Sequence, residues 1–276
     1  MKDRASAKIN LCLYLGPLRP DGYHELLSIF QSISLFDELE LTDHDGQHDE
    51  VRCPGLEGPN IAERAIAMFR EATGWDGPPQ LLQIEKRIPI AAGLGGGSAD
   101  AAATLRLLTQ RSGLTSDLHP LSTRLGADVP SQLSPGRYLV EGIGDRLTRL
   151  PAPGPLGIVI LPCDAQLSTA DVYREADRQG LTRTRGELER IRATLDLRSP
   201  EHVNDLAQAA RALEPAIDAL IARLSIEGVA GKLTGSGPTV FALFPTLQDA
   251  QGVTDRLVSA GVAAHACVPI HNSSLT

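Results

Sequence analysis

Four glycines in five positions, Gly93-Leu94-Gly95-Gly96-Gly97, stand between a strand pattern over 80–88 and an alanine-rich helical pattern. Ser98 is placed to cap that helix, which runs to about Arg111, and Gly113 to end it. Glycine takes positive φ at little cost and leaves no Cβ to block a ligand. The helix behind the loop offers unpaired N–H groups and the positive end of its dipole. A strand, a glycine loop and a capped helix in that order make an anion site. Two familiar phosphate loops fail on spacing. No lysine follows the glycines, as G-x-x-x-x-G-K-S/T requires, and the sixth position from Gly93 is Ser98, where G-x-G-x-x-G needs glycine. A plain flexible loop before an ordinary helix is the competing reading, and the strand and cap flanking this loop weigh against it.

A chain of 276 residues has room for about two domains. A proline-rich seam at 150–155 divides it into 1–152 and 153–276. In the first half, Ile9, Leu11, Leu13 and Leu15 alternate with Lys8, Asn10, Cys12 and Tyr14, which predicts a half-buried strand over 7–15. A turn-rich loop follows over 16–25, then strands near 27–35 and 38–42. The polar run 43–50 is expected to be a hairpin tip, so its His44 and His48 read as solvated turn residues and not as a metal site. A helix is predicted over 60–73, with Asn60 as N-cap and Gly74 closing it. Another is expected near 116–125, with strands at 137–143 and 156–161. The second half shows helical patterns near 169–178, 186–196, 202–212 and 215–225. A strand (239–244), a helix (246–260) and a strand (262–268) complete it, so the chain reads as α+β with a β-α-β ending.

Charge and hydropathy exclude several classes. Lys and Arg number 26 against 34 Asp and Glu, a net charge of −8, and no basic cluster suggests a nucleic-acid partner. The longest apolar run is 156–161, interrupted by Gly157, far short of the ~20 residues of a membrane-spanning helix. The first residues lead into alternating sequence with no continuous apolar stretch, so no cleaved secretion signal is expected. Four widely spaced cysteines without a C-x-x-C pair fit reduced thiols of the cytoplasm. There are no heptads, and so no signal for an oligomeric state.

Two charged residues stand out beside the loop. Lys8 and Asn10 share one face of the first strand. Asp128 lies within Gly126-Ala127-Asp128-Val129-Pro130. Val129, preceding proline, is expected outside the helical region, which puts Asp128 in a rigid bend. In isolation, Lys8 reads first as a solvated edge-strand lysine and Asp128 as a helix-end turn carboxylate. Chemistry that would use both is phosphoryl transfer to an alcohol, which needs charge neutralised and a proton accepted.

Three segments in order resemble the GHMP kinase superfamily, named for galactokinase, homoserine kinase, mevalonate kinase and phosphomevalonate kinase. They are Ala7-Lys8-Ile9-Asn10-Leu11, then the loop from Pro89 to Ala99, then Leu233-Thr234-Gly235-Ser236-Gly237-Pro238. Two more, Arg19-Pro20-Asp21-Gly22-Tyr23-His24-Glu25-Leu26 and the Asp128 segment, are similar to one branch. That branch serves the non-mevalonate route to isoprenoid precursors and phosphorylates the 2-hydroxyl of a cytidine-diphosphate-linked methylerythritol. The resemblance implies the two-domain GHMP kinase fold with a ligand cleft between domains, and ATP and Mg2+ as cofactors. It makes Asp128 the general base and Lys8 the catalytic lysine. Pro89, Ile90, Ala91, Ala92, Gly93, Leu94, Gly95, Gly96, Gly97, Ser98 and Ala99 become the ATP loop, with Lys86 near the nucleotide. Tyr23, His24 and Tyr173 would hold the cytidine, Asn10 would lie near the substrate, and Ser98 would meet the metal. Many relatives carry a second serine where this chain has Ala99, whose backbone N–H is expected to go on cradling phosphate.

Overall fold

The computed structural model describes residues 1–56, 58–154 and 156–271. Pro155, inside the expected seam, lies outside the described residues. The first half is built on two long strands. β1 (Lys2–Leu18) pairs antiparallel along most of the length of β2 (His24–Asp43). β3 (Glu50–Arg52) follows, and then α1 (Ile61–Thr73), whose Asn60 cap accepts from the Ala62 N–H while Gly74 closes the helix in the left-handed region. β4 (Gln80–Glu85) precedes α2 (Gly96–Ser112), α3 (His119–Leu125) and α4 (Val129–Gln132). β5 (Arg137–Gly142) and β6 (Arg146–Arg149) complete this half. The sheet runs β3-β4-β2-β5-β6, with β4 on the C-terminal half of β2, β5 on its N-terminal half, and β1 along the other edge.

The second half holds β7 (Gly157–Leu161), α5 (Thr169–Gln179), α6 (Arg185–Thr194), α7 (Ala207–Leu213), α8 (Ala216–Ile226), β8 (Lys232–Leu233), β9 (Val240–Phe244), α9 (Leu247–Ser259) and β10 (His265–Cys267). Its antiparallel sheet runs β10-β7-β9-β8. β10 and β9 flank β7, so the expected β-α-β ending forms with a strand inserted between its two strands.

Several expectations are corrected. The strands expected at 27–35 and 38–42 are one strand, and 43–50 is no hairpin tip, because β3 pairs parallel with β4 at the sheet edge. β1 is not half-buried: Ala5 to Gly16 are all covered, because one face packs into the core and the other faces the opposite half of the molecule. The helix expected from 202 begins only at Ala207. Leu13 N–H donates to Val203 O at 2.7 Å and Asp205 N–H to Leu13 O at 3.0 Å, so those residues extend alongside β1 instead. The strand over 80–88 stops at Glu85 because the Asp37 carboxylate accepts from the N–H groups of Arg87 (2.6 Å) and Ile88 (2.8 Å). α2 starts three residues earlier than a Ser98 cap would place it. Its N-cap is Gly95, and Ser98 sits inside the first turn without capping it. Val129 begins α4 with Pro130 next, at a helix start where proline forfeits no hydrogen bond.

α2 explains its alanine-rich composition. Ala99, Ala101, Ala102, Ala103, Leu105, Leu107 and Leu108 are all buried in one cluster with Phe69 of α1 and Leu39 and Leu82 of the sheet. A helix apolar nearly all round is a core helix. Its burial fixes where its N-terminus and the glycine loop point.

Candidate active site

The bulges of β1 lie either side of Lys8–Asn10: the register with β2 shifts between Ser6 and Lys8 and again between Asn10 and Cys12. Bulges re-aim side chains. Here the Lys8 N–H leaves the ladder and donates to Leu94 O at 2.9 Å, tying the strand to the glycine loop. The Lys8 ammonium is almost wholly enclosed, with residue exposure of 6%. It donates to Asn10 Oδ1 at 2.8 Å, lies 3.2 Å from Asp128 Oδ2 and stands 4.3 Å above the centre of the Phe30 ring. Asn10 is held in turn: its N–H donates to Thr234 Oγ1 at 2.8 Å and its side-chain amide to Ser28 Oγ at 2.9 Å. Lys8 and Asp128, 120 positions apart in the chain, therefore meet, and Asn10 fixes the lysine from the other side.

That pair opens into a cavity of about 770 Å³ lined by both halves of the chain. Gly93, Gly95 and Ser98 form one wall, and Gly235 and Ser236 approach from the second half. Tyr23, His24 and Tyr173 form the far end. The His24 and Tyr173 rings lie 5.6 Å apart at 45°. His24 Nδ1 donates to Gly16 O at 2.9 Å, and its Nε2 meets the Asp177 carboxylate at 3.2 Å. Burial, with the Asp128 carboxylate nearby, pushes the Tyr173 phenol up to about 12, so it stays neutral and available as a donor. Tyr23 is 62% exposed.

The loop residues divide by position. Gly95 (φ +72) brings its backbone against Lys8, and a Cβ there would lie 3.1 Å from Lys8 Cγ. Ala92 and Leu94 are buried anchors, while Ile90 is exposed. Ala91 is the non-glycine residue with positive φ among those described. A side chain at Gly96 would press on Ile88 and Lys86 and not enter the cavity, and one at Gly97 would meet Ile61. Pro89 lies on the loop approach before them. Ala99 does not cradle an anion: it is buried in the core, and its N–H donates to Gly95 O at 2.9 Å. In the first turn, the N–H groups ahead of Ala99, on Gly96, Gly97 and Ser98, are the ones an anion could take.

Gly93 joins the two halves. At φ +73, a Cβ would stand 2.3 Å from Gly237 O. We expect Gly93→Ala to destabilise the protein by about 2–4 kcal/mol, combining the left-handed backbone penalty with overpacking against a carbonyl. A lowered urea midpoint checks this; an unchanged midpoint would contradict the close approach.

Lys86 lies behind the loop and is not part of the cavity wall. Its ammonium donates to Asp37 at 2.5 Å and to Asp100 at 2.8 Å, with Asp37 fully buried. Burial pushes the Asp100 acid up to about 7, against the pull of Lys86 and helped by Asp37. An unfolded aspartate titrates near ~4, so between about pH 4 and about pH 7 the folded chain holds more protons. The contribution of Asp100 to stability is thus greatest below this window and is lost as pH rises through it. Asp100→Asn should flatten that decline in urea midpoints taken at about pH 5 and about pH 8; parallel profiles for the two proteins would refute it.

Sequence reasoning assigned no role to four contributors. Phe30 supplies the ring face under Lys8. Thr234 and Asn204 hold the second glycine segment: the Asn204 amide donates to Leu233 O at 3.0 Å and Gly235 O at 2.8 Å. Asp177 sits one helical turn from Tyr173. The fixed spacing of Tyr173 and Asp177 on one predicted helix was the available signal for the last; the others depend on pairings between distant segments.

Family comparison agrees with this geometry. Residues 60–136 match the model of the GHMP kinase N-terminal domain and residues 185–263 that of the GHMP kinase C-terminal domain. A Leifsonia xyli protein named 4-diphosphocytidyl-2-C-methyl-D-erythritol kinase is 36% identical over 98% of this chain and 96% of its own. One of the same name from an Anaeromyxobacter species is 40% identical over 90% of this chain and 82% of its own. A crystal structure of 4-(cytidine 5'-diphospho)-2C-methyl-D-erythritol kinase superposes with a TM-score of 0.81 at 32% identity, covering 98% of this chain and 99% of that one. A mevalonate kinase structure, 14% identical with a TM-score of 0.69, shares the fold. The chain belongs to the 4-diphosphocytidyl-2-C-methyl-D-erythritol kinases, within the GHMP kinases.

Proposed function

We propose that this enzyme transfers the γ-phosphate of ATP to the 2-hydroxyl of 4-diphosphocytidyl-2-C-methyl-D-erythritol, giving ADP and the 2-phosphate in non-mevalonate isoprenoid precursor biosynthesis. The observation that carries the reading is the Lys8–Asp128 contact of 3.2 Å in one cavity with both the glycine loop and the Tyr23, His24 and Tyr173 cluster. Asp128 accepts the proton of the 2-hydroxyl. The freed oxygen forms its bond to the γ-phosphorus as the bond to the β–γ bridging oxygen breaks, and ADP leaves with that oxygen. Lys8, held by Asn10, orients Asp128 and offsets negative charge gathering on the transferred group. Backbone N–H groups at the start of α2 and the loop hold the phosphates, and the aromatic cluster holds the cytidine.

Magnesium fits the donor chemistry. Among the described residues Ser98 has no hydrogen-bond partner for its hydroxyl, which lines the cavity as a hard oxygen ligand, and substrate phosphates and water would complete the shell. When bound, the ion neutralises charge between the β- and γ-phosphates. Lys86 serves the nucleotide indirectly in this reading, by anchoring the N-terminal part of α2, at Asp100, to Asp37 of β2. We further propose domains at 1–152 and 153–276, supported by the two separate sheets, and a cytoplasmic location, supported by four unpaired cysteines. Among the described residues no helix is long and apolar enough to cross a membrane.

A coupled ADP-release assay with mass analysis of the product tests the reading. ADP and a monophosphorylated product are expected with the cytidine-diphosphate substrate and not with mevalonate or homoserine. Release with either of those instead, or no product from the cytidine compound, would overturn it.

A further inference from the structure

Lys8 is aimed by Asn10, and a buried chain of hydrogen bonds aims Asn10 in turn. The backbone here is already pinned: the Lys8 N–H is held by Leu94 O and the Asn10 N–H by Thr234 Oγ1. What the backbone leaves open is the last torsion of the Asn10 side chain, which has only a broad, two-fold preference of its own. Turned one way, the amide offers its oxygen to the Lys8 ammonium. Turned the other way, it sets an NH2 donor against a group that can only donate. A neighbour has to choose between the two. Asn10 is 4% exposed, so bulk water does not.

Ser28 makes that choice. Fully buried on β2, it stands opposite Leu13, just past the register shift between Asn10 and Cys12. Its hydroxyl donates to Cys12 O at 2.6 Å, an oxygen that can only accept. With its one proton committed, Ser28 Oγ has only lone pairs to offer Asn10, 2.9 Å away. The NH2 of Asn10 therefore faces Ser28, which leaves Oδ1 for Lys8 at 2.8 Å. The ammonium at one end and the carbonyl at the other demand the same direction of donation. Ser28 lies outside the cavity lining, so its effect on the site runs through Asn10.

We propose that Ser28 is a positioning residue for phosphoryl transfer, which orients the Asn10 amide so that Lys8 is held between Asn10 and Asp128. The proposal rests on the reading of Lys8 and Asp128 as the reacting pair. Without the Ser28 hydroxyl, Asn10 Nδ2 becomes a buried donor with no acceptor, and the amide is free to turn. Lys8 then loses its hold on one side and turns to Asp128 alone. Base and cation leave the separation at which they serve the 2-hydroxyl and the transferred phosphate. A displacement of about 1 Å in such a site costs about 10²-fold in rate.

The test measures kcat, KM for the cytidine-diphosphate substrate and the ATP dissociation constant. The proteins compared are the native enzyme, Ser28→Ala, Ser28→Thr, Asn10→Ala and the Ser28→Ala/Asn10→Ala double variant, each checked for folding by urea unfolding. Ser28→Ala is expected to lower kcat about 10- to 100-fold. KM and the ATP dissociation constant should stay within about 2-fold of native, because Ser28 meets neither substrate. Ser28→Thr, which keeps the hydroxyl, should recover most of the loss. Once Asn10 is alanine, Ser28→Ala should cost little more, because its route to Lys8 is already cut. The proposal is wrong if Ser28→Ala leaves kcat unchanged, if the loss falls on KM or ATP binding, or if it is as large with Asn10→Ala as without it. Should the added methyl of Ser28→Thr prevent folding, the cycle with Asn10→Ala decides alone. A native enzyme that makes no product from the cytidine compound would overturn the function reading itself. An active native enzyme indifferent to Ser28→Ala overturns this proposal only.

Discussion

Asp128→Asn should lower kcat by about 10²–10⁴-fold while leaving the ATP dissociation constant close to that of the native enzyme. The substitution keeps the shape of the side chain and removes its ability to take the 2-hydroxyl proton. Asp128 contributes no backbone to the glycine loop and supplies no cap hydrogen bond to α4, so nucleotide binding and fold have little reason to change. The expected loss corresponds to about 3–5 kcal/mol of transition-state stabilisation at 1.36 kcal/mol per decade. Steady-state turnover and equilibrium ATP titration on the same preparation separate the two effects. Unchanged turnover would remove Asp128 from the chemistry; equal losses in turnover and ATP affinity would make it a nucleotide-binding group instead.

Lys86→Met should cost about 3–5 kcal/mol of stability, since it leaves two buried carboxylates without their cation. Asp37 is fully buried and Asp100 nearly so. One oxygen of Asp37 keeps its two backbone donors, whereas Asp100 Oδ1 has no partner even in the native protein. The damage should therefore concentrate at Asp100, and adding Asp100→Asn to Lys86→Met should recover part of the loss. Urea unfolding of the single and double variants checks this. A Lys86→Met protein as stable as the native one would show that the cluster does not anchor α2. Because whole-protein stability is commonly only 5–15 kcal/mol, the single variant should also purify in lower yield.

What could be read from the sequence was local. The α1 caps at Asn60 and Gly74 lie within a few residues of the helix they close, and both stand as expected. The strand–glycine–helix order at 80–113 was equally legible, because glycine and alanine set backbone freedom and helix propensity on the spot. The misreadings came where a distant segment decided the outcome. Residues 203–205 pair with β1 from 190 positions away, and no helical periodicity could signal that. Ser98 yielded the cap to Gly95 because the chain enters α2 through a left-handed residue packed on Lys8. Lys86 was visible as a rare lysine beside the loop, but its two carboxylate partners come from positions 37 and 100. The meeting of Lys8 with Asp128 was implied by family resemblance alone, and the coordinates supply the distance.

A structure of the enzyme with 4-diphosphocytidyl-2-C-methyl-D-erythritol and a non-hydrolysable ATP analogue would test the central claim most directly. The account predicts the substrate 2-hydroxyl within about 2.6–3.2 Å of the Asp128 carboxylate, the γ-phosphate beyond it at the N-terminus of α2, and Lys8 still bonded to Asn10. A 2-hydroxyl turned away from Asp128, or triphosphate bound outside the Gly93–Ser98 wall, would contradict it.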